Sequence, residues 1–471
     1  MSVGLARFEW YALGFAVVVA HGFLAHEWFY PSSYDAGLYA QIGHEIAQRG
    51  LFHHYTAADI RIYGYPFFLS FVHRGAAGLG LSFLIVLFEV QLFLYLSACL
   101  FFRNALSRLS VPAARIAFCG LLVNYYVLIY APESLTESLS LTLLVFVGGC
   151  WLEAYRRPAA SWPLITGSLA VGFAMMVRAG NVYMVAAWII GAAIIGLRTR
   201  PGMLRGAVAA ICVVLGVSLP ALPQLANNVK NFNKWTPLLV EDLGHLQQMW
   251  GIQNIKYATA MPPIRQGAVH YASPLWDGSA IDPDAPWRWY AANPGRGLLT
   301  LAIHTFNLTD QDLLFTYSRD LDPWYRLPLG IVNHGAVALG LVGLVLVGRR
   351  VRAIGQPAPI DAYVVLLAVV LANLAVYAWT AVEMRFGSVL LLVLFPLAGY
   401  AALRIIGSRD TRTILAASLG VATYVALALV LSEWVRDHSE LIRDARAARH
   451  ARVEPPADVA LPLFAGSRDP G

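Results

Sequence analysis

The stretch LSFLIVLFEVQLFLYLSACLFF, from Leu81 to Phe102, holds one charged residue, Glu89, and ends against Arg103. At about 1.5 Å per residue, a helix of that length crosses the roughly 30 Å hydrocarbon core of a bilayer. Runs of the same kind recur at 10–27, 113–130, 134–153, 162–177, 181–197, 204–225, 329–348, 361–380, 384–404 and 412–431. The sequence therefore predicts an all-α polytopic membrane protein with about eleven transmembrane helices. Composition agrees. The chain is 58% hydrophobic and 13% charged, roughly half the charge of a soluble domain.

The arginines orient these spans, because positively charged loops stay in the cytoplasm. Arg7, Arg103 and Arg108, Arg156 and Arg157, Arg198, Arg200 and Arg205, Arg349, Arg350 and Arg352, and Arg409 and Arg412 mark alternate loops. The N-terminus is expected on that side, as a retained first helix rather than a signal peptide. The other face then holds an outer loop at 28–80, a second at 226–328, and turns at 131–133, 178–180 and 381–383. The organisation read from this is a catalytic transmembrane module at 1–225, the large outer loop of about a hundred residues at 226–328, further spans at 329–431 and a basic tail at 432–471. An odd number of spans puts the tail outside despite its arginines, where a basic helix lies on anionic lipid. The net charge of +6 reads as topology, and no nucleic-acid partner is expected.

Both outer loops carry local signals. After Pro31-Ser32-Ser33, the residues Leu38, Ile42 and Ile46 recur every fourth position, with polar residues between and Gly50 as a stop. That is a short amphipathic helix, expected to lie flat at the interface. Past His53, His54, Asp59 and Arg61, Tyr65-Pro66 opens a second segment too short to span, expected to be interfacial. The second loop is rich in proline and tryptophan, with Trp250, Trp276, Trp287, Trp289 and Trp324. Interfacial tryptophan belts and sugar stacking both account for such residues.

A charge in the hydrocarbon costs about 3 kcal/mol on insertion scales, so ionisable residues near it need a reason. Asp35, at the start of the flat helix, is either a dipole partner at a helix N-terminus or a general base held at the membrane surface. Glu133 and Glu137 either cap the next helix or line an outward-facing cavity. Arg178 and Arg385 break the positive-inside pattern. Either they snorkel, or they form a pair of cations for a phosphate, a task suited to the guanidinium fork. Glu89 is expected to face the bundle and pair with a neighbour.

The run Ser33-Tyr34-Asp35-Ala36-Gly37-Leu38-Tyr39, then Ala47-Gln48-Arg49-Gly50 and Tyr65-Pro66, resembles the first outer loop of GT-C-type glycosyltransferases. That superfamily includes protein O-mannosyltransferases and the aminoarabinose transferases of lipid A. Pro132-Glu133-Ser134-Leu135-Thr136-Glu137 is similar to its acidic turn, and Val177-Arg178 to its arginine at the outer end of a later helix. Asn227-Asn228 through Trp235-Thr236 looks like the entry to its large outer loop. Glu383-Met384-Arg385-Phe386, followed by Pro396, resembles its late Glu-x-Arg-Tyr and proline run.

The resemblance implies a polyprenyl-phosphate sugar donor, a lipid, glycan or protein acceptor, and inversion at the anomeric carbon. It implies Asp35 as base and Arg178 and Arg385 as the donor-phosphate clamp. Tyr39, Asp59, Arg61, Glu133, Glu137 and Glu383 are supporting candidates. The cofactor stays open. Many members carry a second acid just after the aspartate, but here that residue is Ala36, so a divalent metal lacks that support. The expected setting is the plasma (inner) membrane, with the active site periplasmic or extracellular. Competing readings are a lipid-linked sugar transporter or flippase, and an enzyme like an O-antigen ligase or polymerase. A transporter is expected to carry inverted repeats, and none is evident in the sequence.

Overall fold

Hydrocarbon offers the backbone no hydrogen-bond partners, so apolar segments that enter it must satisfy their own N–H and C=O groups as helices. The computed structural model describes residues 4–453 apart from 30–33, 54–60, 158–159, 200–202, 241, 263, 266 and 409. Pro31, Ser32, Ser33, His54, Asp59, Arg200 and Arg409 lie outside the described residues.

The chain begins with α1 (Arg7–Phe29), α2 (Asp35–Arg49), α3 (Gly64–Leu79), α4 (Phe83–Ser107), α5 (Val111–Leu122), α6 (Tyr125–Leu128), α7 (Thr136–Arg156) and α8 (Trp162–Val177). It continues through α9 (Val182–Thr199), α10 (Met203–Ser218) and α11 (Leu222–Phe232). The second loop contains α12 (Leu243–Gln253), β1 (Asn254–Ala260), β2 (Gly267–Ala272), α13 (Trp287–Ala292), α14 (Pro294–Asn307) and β3 (Tyr317–Ser318). Then follow α15 (Arg326–Ile354), α16 (Pro357–Tyr377), α17 (Ser388–Gly407), α18 (Thr411–Arg436) and α19 (Glu440–Val453).

Among the described residues, nine segments are long and apolar enough to cross a membrane: Arg7–His26, Phe83–Ser107, Thr136–Arg156, Ala179–Arg198, Ala210–Phe232, Arg326–Ile354, Pro357–Tyr377, Met384–Gly407 and Thr411–Arg436. The chain is an all-α polytopic membrane protein. Each of the nine falls on a span expected from the sequence. The other two expected spans, 113–130 and 162–177, hold the shorter apolar helices Val111–Leu122 and Trp162–Val177. The first breaks at Asn124, which is fully buried and donates through Nδ2 to the Leu391 carbonyl at 3.0 Å. Apolarity continues to Tyr130 while the helix does not.

Two close approaches shape the end of the bundle that matters below. A side chain at Gly64 would run into the Met176 carbonyl, and one at Gly387 into the Leu308 carbonyl. Glycine at these positions lets the start of α3 touch the end of α8, and the start of α17 touch the end of α14. The amphipathic stripe read from the sequence is α2 itself. Ile42 and Ile46 are buried, and Gly50 stops the helix at φ +91°.

The second loop holds a small sheet that the sequence reading did not anticipate, in the order β2-β1-β3. β1 pairs antiparallel with β2 and parallel with β3. Ile255, Ala258, Val269 and Tyr271 of the sheet pack with Val435 at the end of α18 and Ile442 of α19. The Ala272 N–H also donates to the His438 carbonyl at 3.1 Å. The start of the basic tail therefore lies on the same side as the second loop. It docks on protein there through Val435 and Ile442.

Glu89 pairs with a neighbour as expected but does not face the bundle. Its bundle-side neighbours Phe88 and Gln91 are buried, whereas the Glu89 side chain is 57% exposed. Its Oε1 lies 3.6 Å from His21 Nε2 on α1.

Candidate functional site

Asp35 begins α2. The preceding Tyr34 sits at φ +55°, a value unusual for a non-glycine residue. The Asp35 carboxylate is gripped from both sides. Arg61 Nη2 lies 2.6 Å from Oδ1, and Arg385 Nη2 lies 3.0 Å from Oδ2. Arg61 also lies over the Tyr39 ring at 5.3 Å. Tyr39 meets Tyr65 edge-on at 5.4 Å.

Arg385 stands on the short 3-10 turn Met384–Gly387 just before α17. Besides Asp35, its Nε approaches Glu383 Oε2 at 2.5 Å and Glu137 Oε1 at 3.7 Å. The same Glu137 Oε1 takes Arg178 Nη1 at 2.5 Å. Arg178 closes α8 and lies 4.7 Å from the centre of the Phe386 ring and 5.6 Å from that of Tyr377. The two arginines are thus coupled through one carboxylate oxygen. The N-cap position of α7 is Leu135, which makes no side-chain capping bond, and the Glu137 carboxylate turns to the two arginines. Glu133 is buried, and its carbonyl accepts from Gln91 Nε2 at 3.0 Å and Tyr65 Oη at 3.3 Å.

The structure brings together Asp35, Tyr39, Arg61, Glu137, Arg178, Glu383 and Arg385, with Glu133 fixed beside them. The three turns at 131–133, 178–180 and 381–383 meet at this end of the bundle.

Sequence reasoning missed the contribution of the second loop. Thr259 of β1 donates to Glu383 Oε1 at 3.3 Å, and the neighbouring Tyr257 N–H donates to the Val382 carbonyl at 2.9 Å. Gln311 holds the Met384 carbonyl at 2.6 Å. Tyr317 of β3 accepts from the Ala36 N–H at 3.3 Å and stacks on Tyr34 with ring centres 6.1 Å apart. No local pattern around these residues marks them. Only the long-range pairing of the loop places them at the site.

The carboxylates differ in character. Burial pushes the Asp35 pKa up, but Arg385 and Arg61 outweigh it and hold the carboxyl below its usual value. Burial also pushes Glu383 up. Arg385 opposes this, the Asp35 and Glu137 charges reinforce it, and the carboxyl stays above its usual value. Neighbouring carboxylates pushed apart in this way are suited to different protonation roles. Among the described residues, no three histidine, cysteine, aspartate or glutamate side chains are grouped to hold a metal ion.

In comparisons with known proteins, no family model matches the chain and no curated protein matches it.

Proposed function

We propose that this chain is a GT-C-type glycosyltransferase of the plasma membrane. It moves a sugar from a polyprenyl-phosphate donor to a hydroxyl of a lipid, glycan or protein acceptor. The observation that carries this reading is the bond between Asp35 and Arg385, residues 350 apart in sequence, with Arg178 joined to Arg385 through Glu137. Base and clamp candidates, named independently along the chain, form one cluster. On this reading the two short helices at 111–122 and 162–177 complete about eleven crossings. The N-terminus is cytoplasmic, and the cluster faces the periplasm or the extracellular side.

The chemistry follows from the partners. The donor phosphate competes with Glu137, Glu383 and Asp35 for the guanidinium groups of Arg178 and Arg385. Asp35, released on one oxygen, accepts the proton of the acceptor hydroxyl. The acceptor oxygen bonds to the anomeric carbon from the face opposite the phosphate. The bond from that carbon to the phosphate oxygen breaks, and the lipid phosphate leaves with the electron pair, stabilised by the arginines.

The test is transfer of labelled sugar from a polyprenyl phosphate by purified, folded protein. Asp35→Asn is expected to lose about 10²–10⁴-fold of the rate, and near-normal transfer removes Asp35 as base. Arg178→Ala and Arg385→Ala are expected to weaken donor dependence, and unchanged dependence in both removes the clamp. A chain that moves the lipid-linked sugar across the bilayer with no transfer is a transporter, and the proposal fails.

A further inference from the structure

The His21–Glu89 pair lies where a charged or strongly polar pair is hardest to explain in a single chain. The buried ion pair between Glu9 and Arg103, at 2.9 Å, joins the far ends of the same two helices. Counting from it at 1.5 Å per residue, His21 lies about 18 Å along α1 and Glu89 about 21 Å along α4. With the Glu9–Arg103 pair taken as one edge of a hydrocarbon layer of roughly 30 Å, both depths fall inside it, with about 10 Å still to go to the other surface. Helix tilt would only place them deeper. The side chains are nevertheless 47% and 57% exposed on the outside of the bundle.

The neighbouring surface of α1 is shaped for close approach. Gly14, Val18 and Gly22 recur every fourth residue, which puts them on one helix face. A Cβ at Gly14 or Gly22 would meet nothing within 4 Å, and Val18 between them is 72% exposed. Small residues at this spacing let helix backbones approach in membranes, and polar side chains add hydrogen bonds across the contact.

We propose that this face of α1 and α4 is where a second copy of the chain packs within the membrane. The patch suits a two-fold contact because it presents both an imidazole and a carboxylate, and an isologous interface must be complementary to itself. In the pair, Glu89 of each copy faces His21 of the other, and the Gly14–Val18–Gly22 stripes cross. The polar pair is then covered by protein rather than lipid. This inference rests on the transmembrane reading alone and is independent of the proposed enzymatic activity.

Val18→Cys in the full chain, oxidised in native membranes at low expression, tests it. A disulfide-linked dimer is expected, absent from the unsubstituted chain and from Leu427→Cys, a control at an exposed position on α18. Dilution in lipid vesicles, read by energy transfer between labelled copies, measures the equilibrium. Glu89→Leu, and separately the paired change Gly14→Leu with Gly22→Leu, are expected to weaken association at least tenfold. The paired change enters open space, so its thermal unfolding should match the unsubstituted chain and keep the test independent of folding. Cross-linking equal to that of Leu427→Cys overturns the proposal. So do monomers at every protein-to-lipid ratio, or capture of a different membrane protein by Val18→Cys in place of the dimer.

Discussion

Two clusters of charge sit at the same end of this molecule, and they are built differently. In the second, Lys256 Nζ bonds Asp310 Oδ2 at 3.1 Å and Asp312 Oδ1 at 2.8 Å, and Arg436 Nη1 bonds Asp312 Oδ2 at 2.9 Å. Ser432 also donates to Asp310 at 3.0 Å. None of the four ions is more than 3% exposed. Lys256 and Arg436 meet Asp310 and Asp312, with His334 Nε2 of α15 3.3 Å from Asp310 Oδ1 and the half-buried Asp322 3.4 Å from Arg436 Nη2 at the rim. In the first cluster, Arg385 is shared by three carboxylates, and Glu137 Oε1 is shared by two arginines. One side is open, with Asp35 35% exposed. A sealed cluster fastens one part of a fold to another. An open cluster, reached from outside through Asp35, can exchange a partner for a ligand.

The sealed cluster should give the largest loss of stability. Removing one partner of a buried ion pair strands the other and costs about 3–5 kcal/mol. Lys256→Met is expected to cost that much in chemical unfolding in detergent micelles, while donor binding by the folded fraction changes little. A loss under about 1 kcal/mol would make this cluster no more than a surface pair. Next in size is Arg178→Lys in the open cluster. It keeps the charge and loses the fork, so donor affinity should fall by about 1.5–3 kcal/mol, the worth of a hydrogen bond to a charged group. Titration with a polyprenyl phosphate measures it, and an unchanged affinity would mean that Arg178 serves only Glu137. Smaller again is a pH effect. Asp35 is held below its usual value by Arg385 and Arg61 against burial. Transfer should therefore hold steady as pH falls to the ordinary carboxylate range and decline only below it. Arg61→Gln removes one of the two cations and should move that decline to higher pH in a rate–pH profile.

The contrast also explains what the sequence made legible. Nine of the spans follow from length and apolarity, because in hydrocarbon those properties decide the backbone. The helix at 113–130 ends earlier than its apolarity does, because hydropathy does not register one buried asparagine breaking a helix. Asp35, Arg178 and Arg385 could be singled out because a charge beside a membrane is costly and therefore conspicuous. Lys256, Asp310 and Asp312 lie in a polar loop where charge is ordinary, and only the folding of that loop buries them. The same limit hid Thr259 and Tyr317. Glu89 shows the converse: its cost was evident from the sequence, but its direction was set by which face of α4 packs on α7.

The smallest expected effect distinguishes the clusters most directly, because it has opposite signs in the two. In the sealed cluster burial pushes Asp310 up, but Lys256 and then His334 bring it below its usual value. Its contribution to stability is therefore present above the ordinary aspartate pKa and lost as pH falls through the folded value. In the open cluster Glu383 is raised. Its contribution is present below the ordinary glutamate pKa and lost as pH rises through the folded value. Asp310→Asn should therefore look worse against the unsubstituted protein as pH rises out of the acid range. Glu383→Gln, a permanent copy of the neutral acid, should look better over its own window. Thermal unfolding midpoints of both variants, followed from acid to mildly alkaline pH, give the two slopes. If Glu383→Gln falls behind with rising pH as Asp310→Asn does, then Glu383 is a fixed anion locked on Arg385. The open cluster would then be a second fastening, with no partner ready to yield Arg385 to a phosphate.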